Sequence, residues 1–466
     1  MDPTDLCFLS ALELAELYRE RKLSPVEVTS AILDRIDQLN PALNAFVTVS
    51  ADLAREQART AEAAYGGSDP LAPLAGIPMS IKDLVATRGI RTTRGSLLSA
   101  DWIPDFDAPV AARLYAAGAV MLGKTNTPEL GWKGDSGNRV VGPTHNPWQA
   151  GQTAGGSSGG AGAAVAAGLG PLSQGSDGAG SVRMPASFCG IFGLKPSFGL
   201  IPQYPSSAVP WISHLGPMTR TVRDAALFLN IMAGADPADP LTFDTGIDYL
   251  QAMEGDIKGL KVAWTPDLGY APVEPQVQQI STAAAARFAA LGCHVEEADP
   301  GLPDPWEHIA HVIWSTAFAG IHLDDLEQTR DRIDPGLVEV IDQGRQFSGA
   351  EVAAAHIRRN AYYHSWREFM QGYDLLLTPT VPVTAFAAGA DHPGQINGQP
   401  TTYLGWTAFT YPFNLTGQPA ATVPCGFAAN GLPVGLQIVG RWRDDATVLR
   451  AAAAFEALAP WAGTRP

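Results

Sequence analysis

Cysteine is scarce in this chain of 466 residues, which contains only four. They are Cys7, Cys189, Cys293 and Cys425, with neither a CxxC pair nor the spacing of a zinc site. The sequence therefore excludes a disulfide-stapled scaffold, and we predict no metal and no cofactor. Isolated cysteines of this kind usually serve as small buried side chains, and their low number fits the reducing cytoplasm.

Long apolar runs and a basic leader are also lacking. No stretch approaches about 18 uninterrupted apolar residues, so the sequence predicts no membrane span. The segment 6–17 has no basic flank and already carries Glu13 and Glu16, which is not the pattern of a signal peptide. We expect a cytoplasmic protein that makes no membrane contact.

Positive charge is in deficit, because 31 Lys and Arg residues stand against 47 Asp and Glu residues, a formal net charge of −16. Such a balance repels phosphate backbones and anionic lipid headgroups. Nucleic acid and membranes are therefore not expected as partners, whereas a small-molecule substrate is. Hydrophobic residues make up 46% of the chain, which is enough for a large buried core.

Glycine and serine, in contrast, are concentrated in residues 155–183. This stretch contains GGSSGG at 155–160 and DGAGS at 177–181, joined by an Ala-rich helix and a short strand. These rigid elements separate Ser157 from Ser181, which suggests two serines that meet in the fold. Glycine lets backbone N–H groups approach a ligand closely. Serine hydroxyls beside bare N–H groups are the parts of an acyl-transfer site.

An acyl-transfer site also needs a base, and no histidine near these serines is an obvious one. The upstream segment 75–83, AGIPMSIKD, offers Lys82 instead. Its apolar residues alternate with Ser80 and Lys82, as they do in a strand of period two. Burial on such a strand disfavours the charged form of a lysine, and a neutral amine accepts a proton from a hydroxyl.

Three blocks occur in order along the chain: GIPMSIKD, GGSSGG and SDGAGSVRMPASFCGIFGLKPSFG. In these blocks the chain resembles the amidase signature family, and the similarity covers most of the chain, weakening between residues 298 and 372. The resemblance implies a catalytic triad of a lysine, a serine in a cis peptide and a nucleophilic serine. Carried over residue by residue, these are Lys82, Ser157 and Ser181.

The glycine-rich loop beside Ser181 predicts an oxyanion hole. The N–H groups of Gly178, Ala179 and Gly180, with that of Ser181, form a nest at the start of the next helix. Many relatives have glycine where this chain has Ala179, whose backbone N–H remains.

Several charged residues near the serines are expected to be structural. Asp177 and Arg183 bracket Ser181 and are expected to pair and hold the loop. Lys124, in the predicted strand 120–125, is a second lysine near the site in the family pattern. His145 lies in the loop 131–148, where a hydrogen-bonding surface role is the simpler interpretation.

Short buried strands that alternate with helices predict an α/β fold, a three-layer α/β/α sandwich around a mixed β-sheet. The resemblance implies the same architecture, the amidase signature fold. Length alone suggests about three domains, but the resemblance implies a single domain over residues 1–466. Its core motif spans about 75–220, and the helical, aromatic region at about 304–372 is expected to cap the substrate site.

The segment 403–417, YLGWTAFTYPFNLTG, carries the substrate prediction. The glutamine-hydrolysing amidotransferase subunits of the family have an acidic residue in a Tyr-Leu-x-Asp segment ahead of their Asn-Leu-x-Gly. Here Trp406 or Thr407 replaces that acid, which disfavours the ammonium of glutamine. The sequence predicts an amidase for small aryl or alkyl amides, extending to anilides, carbamates (urethanes) and nylon-like oligomers. The pocket is expected to be lined by Trp132, Trp211, Trp406 and Phe409.

Other interpretations stay open. Residues 155–159 also fit G-x-S-x-G, the nucleophile elbow of α/β-hydrolase esterases, with Ser157 as nucleophile and with Asp374 and His392 in the required order. The segment 148–154 before it is, however, a poor strand. The glycine runs lack the G-x-x-x-x-G-K-[ST] pattern of a phosphate-binding loop. A glutamine amidotransferase A-type subunit that works with partners is a further alternative. As an amidase, the protein is expected to be a monomer or a homodimer.

Overall fold

A mixed β-sheet of eleven strands runs through the centre of the protein, whose computed structural model describes residues 2–466. In chain order the strands are β1 (Phe46–Val49), β2 (Pro78–Lys82), β3 (Val120–Thr125), β4 (Leu172–Asp177), β5 (Phe192–Lys195), β6 (His214–Thr219), β7 (Lys261–Trp264), β8 (His294–Glu297), β9 (Leu375–Pro379), β10 (Gln395–Ile396), β11 (Gln399–Pro400), β12 (Ala420–Phe427) and β13 (Pro433–Gly440). Across the sheet the order is β1-β3-β2-β4-β6-β5-β12-β13-β9-β7-β8, and β10 and β11 form a separate pair.

Strand β2 lies inside the sheet and is parallel to both of its neighbours, β3 and β4. Strand β7 is likewise parallel to β8 and β9, and the other neighbouring strands of the sheet pair antiparallel. Because β2 and β4 run in the same direction, their C-terminal residues lie at the same edge of the sheet. Those residues are Lys82 and Asp177.

Sixteen α-helices are found in residues 2–466, and none of them is long and apolar enough to cross a membrane. They are α1 (Pro3–Leu6), α2 (Ala11–Arg19), α3 (Pro25–Leu43), α4 (Ala51–Tyr65), α5 (Pro109–Ala116), α6 (Gly159–Ala166), α7 (Arg183–Cys189), α8 (Val222–Met232), α9 (Tyr249–Ala252), α10 (Pro275–Ala290), α11 (His311–Ile321), α12 (Leu326–Thr329), α13 (Pro335–Gly344), α14 (Gly349–Phe369), α15 (Tyr411–Thr416) and α16 (Asp445–Leu458).

Two apolar cores cover the two faces of the sheet. Leu375 and Leu377 of β9 belong to one core, and Leu376 between them belongs to the other. Since side chains alternate between the faces of a strand, the two cores lie on opposite sides. The first core contains α3, α8 and α16, and the second contains α11, α13 and α14. The predicted three-layer α/β/α sandwich is therefore confirmed.

The helical region that covers the second face coincides with the predicted region 304–372. It begins with a π-helical turn at Trp306–Ala310 and continues through α11, α12, α13 and α14. Its aromatic side chains pack mainly on each other and on α15. The indole of Trp366, for example, lies 5.0 Å from the ring of Phe413, centroid to centroid.

Strand β3 agrees with the predicted strand 120–125 residue for residue. Helix α3 continues past Asn40 and Pro41 to Leu43, although a proline is a local signal for the end of a helix. The Asn40 side chain exchanges two hydrogen bonds with the backbone of Phe46 at the start of β1. Asn44, in a left-handed conformation, then ends the helix. Packing against β1 thus outweighs the local signal of a proline.

The start of α2 is held by a carboxylate from another helix. Asp224 of α8 accepts hydrogen bonds from the backbone N–H groups of Ala11 (2.9 Å) and Leu12 (3.2 Å). These are the first two residues of α2, whose N–H groups have no partner within the helix. Burial raises the pKa of the Asp224 carboxyl to about 6, while the two N–H groups act in the opposite direction.

We expect Asp224→Ala to lower the free energy of unfolding by about 2 kcal/mol, because two buried N–H groups lose their acceptor. Urea denaturation followed by tryptophan fluorescence measures this loss. Asp52→Ala is the matched control, since Asp52 is exposed in the first turn of α4. The control should change the free energy by less than about 0.5 kcal/mol. Equal midpoints for both variants would contradict the capping role of Asp224.

Candidate active site

Three serine hydroxyls surround the amine of Lys82 at the end of β2. Its Nζ lies 2.6 Å from Ser157 Oγ, 2.9 Å from Ser158 Oγ and 2.9 Å from Ser176 Oγ. Lys82 is completely buried because β2 lies between β3 and β4 inside the sheet. Among residues 2–466, no carboxylate forms an ion pair with it.

The surroundings of Lys82 favour its neutral amine. Burial lowers the pKa of Lys82 well below its ordinary value, and the nearby charge of Asp177 only partly opposes this effect. A neutral amine offers two N–H donors and one lone pair.

The hydrogen bonds of Ser158 limit how the amine is oriented. Ser158 Oγ donates its single proton to the carbonyl oxygen of Ser176 (3.1 Å). It must therefore accept a hydrogen bond from Lys82. The second N–H of the amine and its lone pair are left for the hydroxyls of Ser176 and Ser157.

The 155–160 loop carries Ser157 to this amine. The peptide bond between Gly156 and Ser157 is cis, as the family resemblance implies. Gly156 packs against the backbone of Gly134 and Asp135, where a β-carbon would lie 2.6 Å and 2.7 Å from the nearest backbone atoms. Only glycine permits this approach. Ser136 fastens the loop, because its hydroxyl donates to the carbonyl oxygen of Gly155 (2.8 Å).

The 177–181 loop carries Ser181 and is held by a buried ion pair. Asp177 and Arg183 have no exposed surface, and Arg183 Nη2 lies 2.9 Å from Asp177 Oδ1. The Asp177 carboxylate also accepts hydrogen bonds from the N–H groups of Gly180 (2.6 Å) and Val182 (3.1 Å). Burial alone raises the pKa of Asp177, but the guanidinium of Arg183 outweighs it and holds that pKa well below its ordinary value. The predicted structural pair is thus present.

The backbone donors of the 177–181 loop fall into two groups. The N–H of Gly180 is bound to the Asp177 carboxylate, which takes it out of the predicted set of oxyanion donors. The N–H groups of Gly178, Ala179 and Ser181 have no acceptor among the residues that the structure describes. These three donors of one short loop, one of them on Ser181 itself, can receive a negatively charged oxygen.

The two serine loops are joined by one backbone contact. The N–H of Ser158 donates to the carbonyl oxygen of Ser181 over 3.1 Å. Within residues 2–466, no direct hydrogen bond links the hydroxyls of Ser157 and Ser181. Both side chains are nevertheless buried, with exposed fractions of 2% and 4%.

An aromatic strip, defined here as Trp132, Tyr403 and Trp314, borders both loops. Trp314 of α11 packs against Gly178, and its Nε1 donates to the hydroxyl of Tyr403 (2.9 Å). The Tyr403 ring lies 5.1 Å from the ring of Trp132, centroid to centroid. Trp132 follows Gly131, where a β-carbon would lie 3.2 Å from Ser157 Oγ. The strip therefore reaches from the Ser157 side of the site to the Ser181 side.

The four predicted pocket aromatics lie in different surroundings. Trp132 is buried in the aromatic strip, whereas Trp211 is 48% exposed. Trp406 is fully buried and stacks on Phe188 at a centroid distance of 6.2 Å. Phe409 is also fully buried. Trp132 thus borders the serine loops through the strip, and Trp406 lies against Gly134, which itself packs on Gly156.

Residues proposed for the nucleophile elbow are bound elsewhere. Asp374 accepts a hydrogen bond from the N–H of Lys261 and pairs with Arg441. His392 contacts the carbonyl oxygen of its neighbour Pro393. Within the described part of the chain, no strand directly precedes Ser157, so this alternative is wrong.

Lys124 holds a neighbouring loop, in agreement with its expected structural role. Its Nζ donates to the hydroxyls of Thr87 (2.9 Å) and Thr92 (3.0 Å) and to the carbonyl oxygen of Val85. Burial lowers the pKa of Lys124 to about 8. For residues 2–466, no group of three or more His, Cys, Asp and Glu side chains is arranged to hold a metal ion.

Sequence reasoning missed Ser158 and Ser176 as neighbours of Lys82. Ser158 stands in the quoted GGSSGG block, but nothing in the block distinguishes its role from that of Ser157. Ser176 approaches Lys82 because β4 pairs with β2, and this pairing has no local sequence signal. Trp314 and Tyr403 were likewise not identifiable, since they meet only in the folded chain.

Comparison with known proteins agrees with this geometry. The family model described as Amidase matches residues 27–449. An acylamidase of Rhodococcus erythropolis is 45% identical, covering 100% of this chain and 98% of the relative. The A-type subunit of the glutamyl-tRNA(Gln) amidotransferase of Moorella thermoacetica is 38% identical, with 99% of each chain covered.

Solved structures are similar over the same length. A bacterial aryl acylamidase of the amidase signature family superposes with a TM-score of 0.90 at 33% identity, covering 98% of this chain and 99% of the other. A 6-aminohexanoate cyclic dimer hydrolase gives a TM-score of 0.87 at 32% identity, with 99% of each chain covered. With its fold, its serine loops and these relatives together, the chain belongs to the amidase signature family of amide hydrolases.

Proposed function

We propose that this amide hydrolase cleaves small aryl and alkyl amides with Ser181 as nucleophile, Ser157 as proton relay and Lys82 as base. One observation carries the assignment: the buried amine of Lys82 lies 2.6 Å from the Ser157 hydroxyl. A free serine is a weak nucleophile and needs such a base. Burial lowers the pKa of Lys82 and so favours the uncharged amine that can act as a base.

In the first half of the reaction, the lone pair of Lys82 takes the proton of Ser157, which takes the proton of Ser181. Ser181 Oγ then bonds to the carbonyl carbon, and the carbonyl oxygen becomes an oxyanion. The N–H groups of Gly178, Ala179 and Ser181 stabilise this oxyanion, an effect of about 3 to 4 kcal/mol per donor in a comparable hydrolase. The hydroxyls of Ser157 and Ser181 come within hydrogen-bonding distance when substrate fills the site.

In the second half, the proton held by Lys82 passes through Ser157 to the leaving nitrogen, and the C–N bond breaks. The amine departs, and the acyl group stays on Ser181 as an ester. Water then attacks the ester carbonyl and gives one proton to the same relay. Collapse of the second tetrahedral intermediate returns that proton to Ser181 and releases the acid.

The surroundings of the serines support an apolar substrate. The aromatic strip of Trp132, Tyr403 and Trp314 borders both loops. At the position of the acid in amidotransferase subunits, Trp406 and Thr407 are both fully buried. The names acylamidase and aryl acylamidase of two relatives support the proposal of anilides as substrates of this chain. The likeness to a 6-aminohexanoate cyclic dimer hydrolase extends the proposal to nylon-like oligomers, and a carbamate presents the same carbonyl to Ser181.

A second proposal is a glutaminase subunit that works with partners, which the 38% identity to an A-type amidotransferase subunit favours. The two functions differ in the substrate of the isolated chain. An amidase for apolar amides hydrolyses an anilide alone and spares glutamine. Substantial hydrolysis of glutamine without hydrolysis of aryl amides would favour the second proposal.

The organisation of the chain completes the proposal. We place the motif region at about 75–220 within one amidase signature domain, with residues 304–372 as a cap over the substrate site. Contact between Trp314 of α11 and Gly178 supports this cap. The four cysteines are free thiols, which supports the cytoplasm as the compartment. We propose a monomer or homodimer that binds its substrate without nucleic acid or membrane.

We expect Ser181→Ala to abolish release of the chromogenic amine from an anilide and from its carbamate analogue. The reason is that the variant lacks the oxygen that forms the acyl-enzyme. Ser187→Ala is the matched control, because Ser187 is a buried serine of α7 whose hydroxyl has no partner among the described residues. Ser187→Ala should keep near-normal turnover. Equal rates for wild type and Ser181→Ala would rule out Ser181 as nucleophile.

We expect kcat/KM of the wild type to fall as the pH decreases, because protonation of Lys82 removes the base. Since burial lowers the pKa of Lys82, activity should persist far below the ordinary pKa of lysine.

Lys82→Ala should lose about 10²- to 10⁴-fold in kcat/KM and keep its circular dichroism spectrum. Near-normal activity of this variant would refute the role of Lys82.

A further inference from the structure

The peptide unit between Ala179 and Gly180 is held at both ends. Its carbonyl oxygen, on Ala179, lies 2.7 Å from Thr410 Oγ1. Its N–H, on Gly180, lies 2.6 Å from Asp177 Oδ1. A peptide fixed at its oxygen and at its nitrogen cannot rotate without breaking both hydrogen bonds.

The proton of the Thr410 hydroxyl is available for Ala179. A second acceptor, the carbonyl oxygen of Thr407, lies 3.0 Å from Oγ1. That oxygen already accepts the backbone N–H of Thr410 over 2.9 Å. The shorter contact and the unoccupied acceptor therefore assign the hydroxyl proton to Ala179.

Thr410 itself is held by the ion pair beneath the loop. Arg183 Nη1 donates to the carbonyl oxygen of Thr410 (3.0 Å), and the same guanidinium pairs with Asp177. Gly180 packs directly on Thr410, because a β-carbon there would overlap the threonine hydroxyl. With a φ of +124°, Gly180 is also in a region that favours glycine. The four residues Asp177, Arg183, Thr410 and Gly180 form a closed ring of contacts.

The position of this peptide sets where two donors of the loop lie. The N–H of Ala179 precedes it and the N–H of Ser181 follows it, and neither has an acceptor among the described residues. Loss of the Thr410 hydroxyl removes one of the two hydrogen bonds that fix the peptide. The two flanking N–H groups are then held less firmly, and stabilisation of an oxyanion depends on donors that are fixed in advance.

We infer that Thr410 is a positioning residue for the oxyanion-binding loop of this enzyme. The inference rests on the proposed function, since it presumes that Ser181 attacks an amide carbonyl. Thr410 does not touch the reacting atoms. It acts through Ala179, whose carbonyl it anchors so that the N–H groups of Ala179 and Ser181 keep their places.

The test compares Thr410→Val, which keeps the shape and removes the hydroxyl, with Thr410→Ser, which keeps the hydroxyl. Turnover of a chromogenic anilide gives kcat and KM. A trifluoromethyl ketone, to which Ser181 adds to form a tetrahedral oxyanion, gives the affinity for a transition-state analogue. We expect Thr410→Val to lose at least about tenfold in kcat, a fraction of the loss for a deleted oxyanion donor.

The inference also predicts a pattern that loss of packing does not produce. In Thr410→Val the KM should stay within about twofold, and the ketone should bind more weakly by the same factor as kcat/KM falls. Thr410→Ser should recover activity to within about threefold of the wild type. Thr410→Ala, a second deletion of the hydroxyl, should match Thr410→Val.

A control separates this role from the general cost of a lost buried hydroxyl. Thr422→Val removes the hydroxyl of a fully buried threonine that contacts Thr380. It should keep wild-type kinetics and ketone affinity. Full activity in Thr410→Val, or an equal loss in Thr410→Ser, would overturn the inference and leave the nucleophile assignment intact. A wild-type enzyme that does not hydrolyse the anilide would overturn both.

Discussion

The burial of one amine among hydroxyl groups is the constraint on which the rest of the site depends. Lys82 ends a strand inside the sheet, where it contacts Ser157, Ser158 and Ser176 and pairs with no carboxylate of the described chain. A lysine paired with an acid keeps its proton, and a lysine in water also keeps it. Parallel pairing of β2 with β4 places the amine at the sheet edge where the serine loops begin. In the proposed mechanism, the sheet thereby makes a base of a lysine, which ordinarily carries a proton.

A second constraint offsets the charge of Asp177 close to Lys82. Asp177 ends β4, close enough to oppose the loss of the Lys82 proton, but its carboxylate is bound by Arg183 and by two N–H groups of its own loop. The same bonds shape the loop that carries Ser181. The buried ion pair thus neutralises the charge of Asp177 and fixes the loop that carries Ser181. The C-terminal segment is attached to this pair, because Arg183 donates to the carbonyl oxygen of Thr410. Removal of either partner of such a pair leaves an uncompensated buried charge.

The sequence predicted much of the fold and selected Lys82 and Ser157, which the structure places in contact, because these features have local signals. Strand β3 follows from a short apolar run, and Lys82, Ser157 and Ser181 stand in contiguous motifs. Contacts between distant segments have no such signal. Thr410 meets Ala179 across 231 positions of the chain, and Ser176 meets Lys82 across 94. The engagement of the Gly180 N–H by Asp177 depends on loop geometry, which spacing alone does not determine.

The most direct test of the account is to locate the covalent intermediate. A p-nitrophenyl N-alkylcarbamate transfers its carbamoyl group to the nucleophile, and the resulting ester hydrolyses slowly enough for acid quenching and peptide mapping by mass spectrometry. We expect one carbamoyl group per chain, on Ser181, with an unmodified Ser157. A carbamoyl group on Ser157, or inhibition without any covalent adduct, would contradict it.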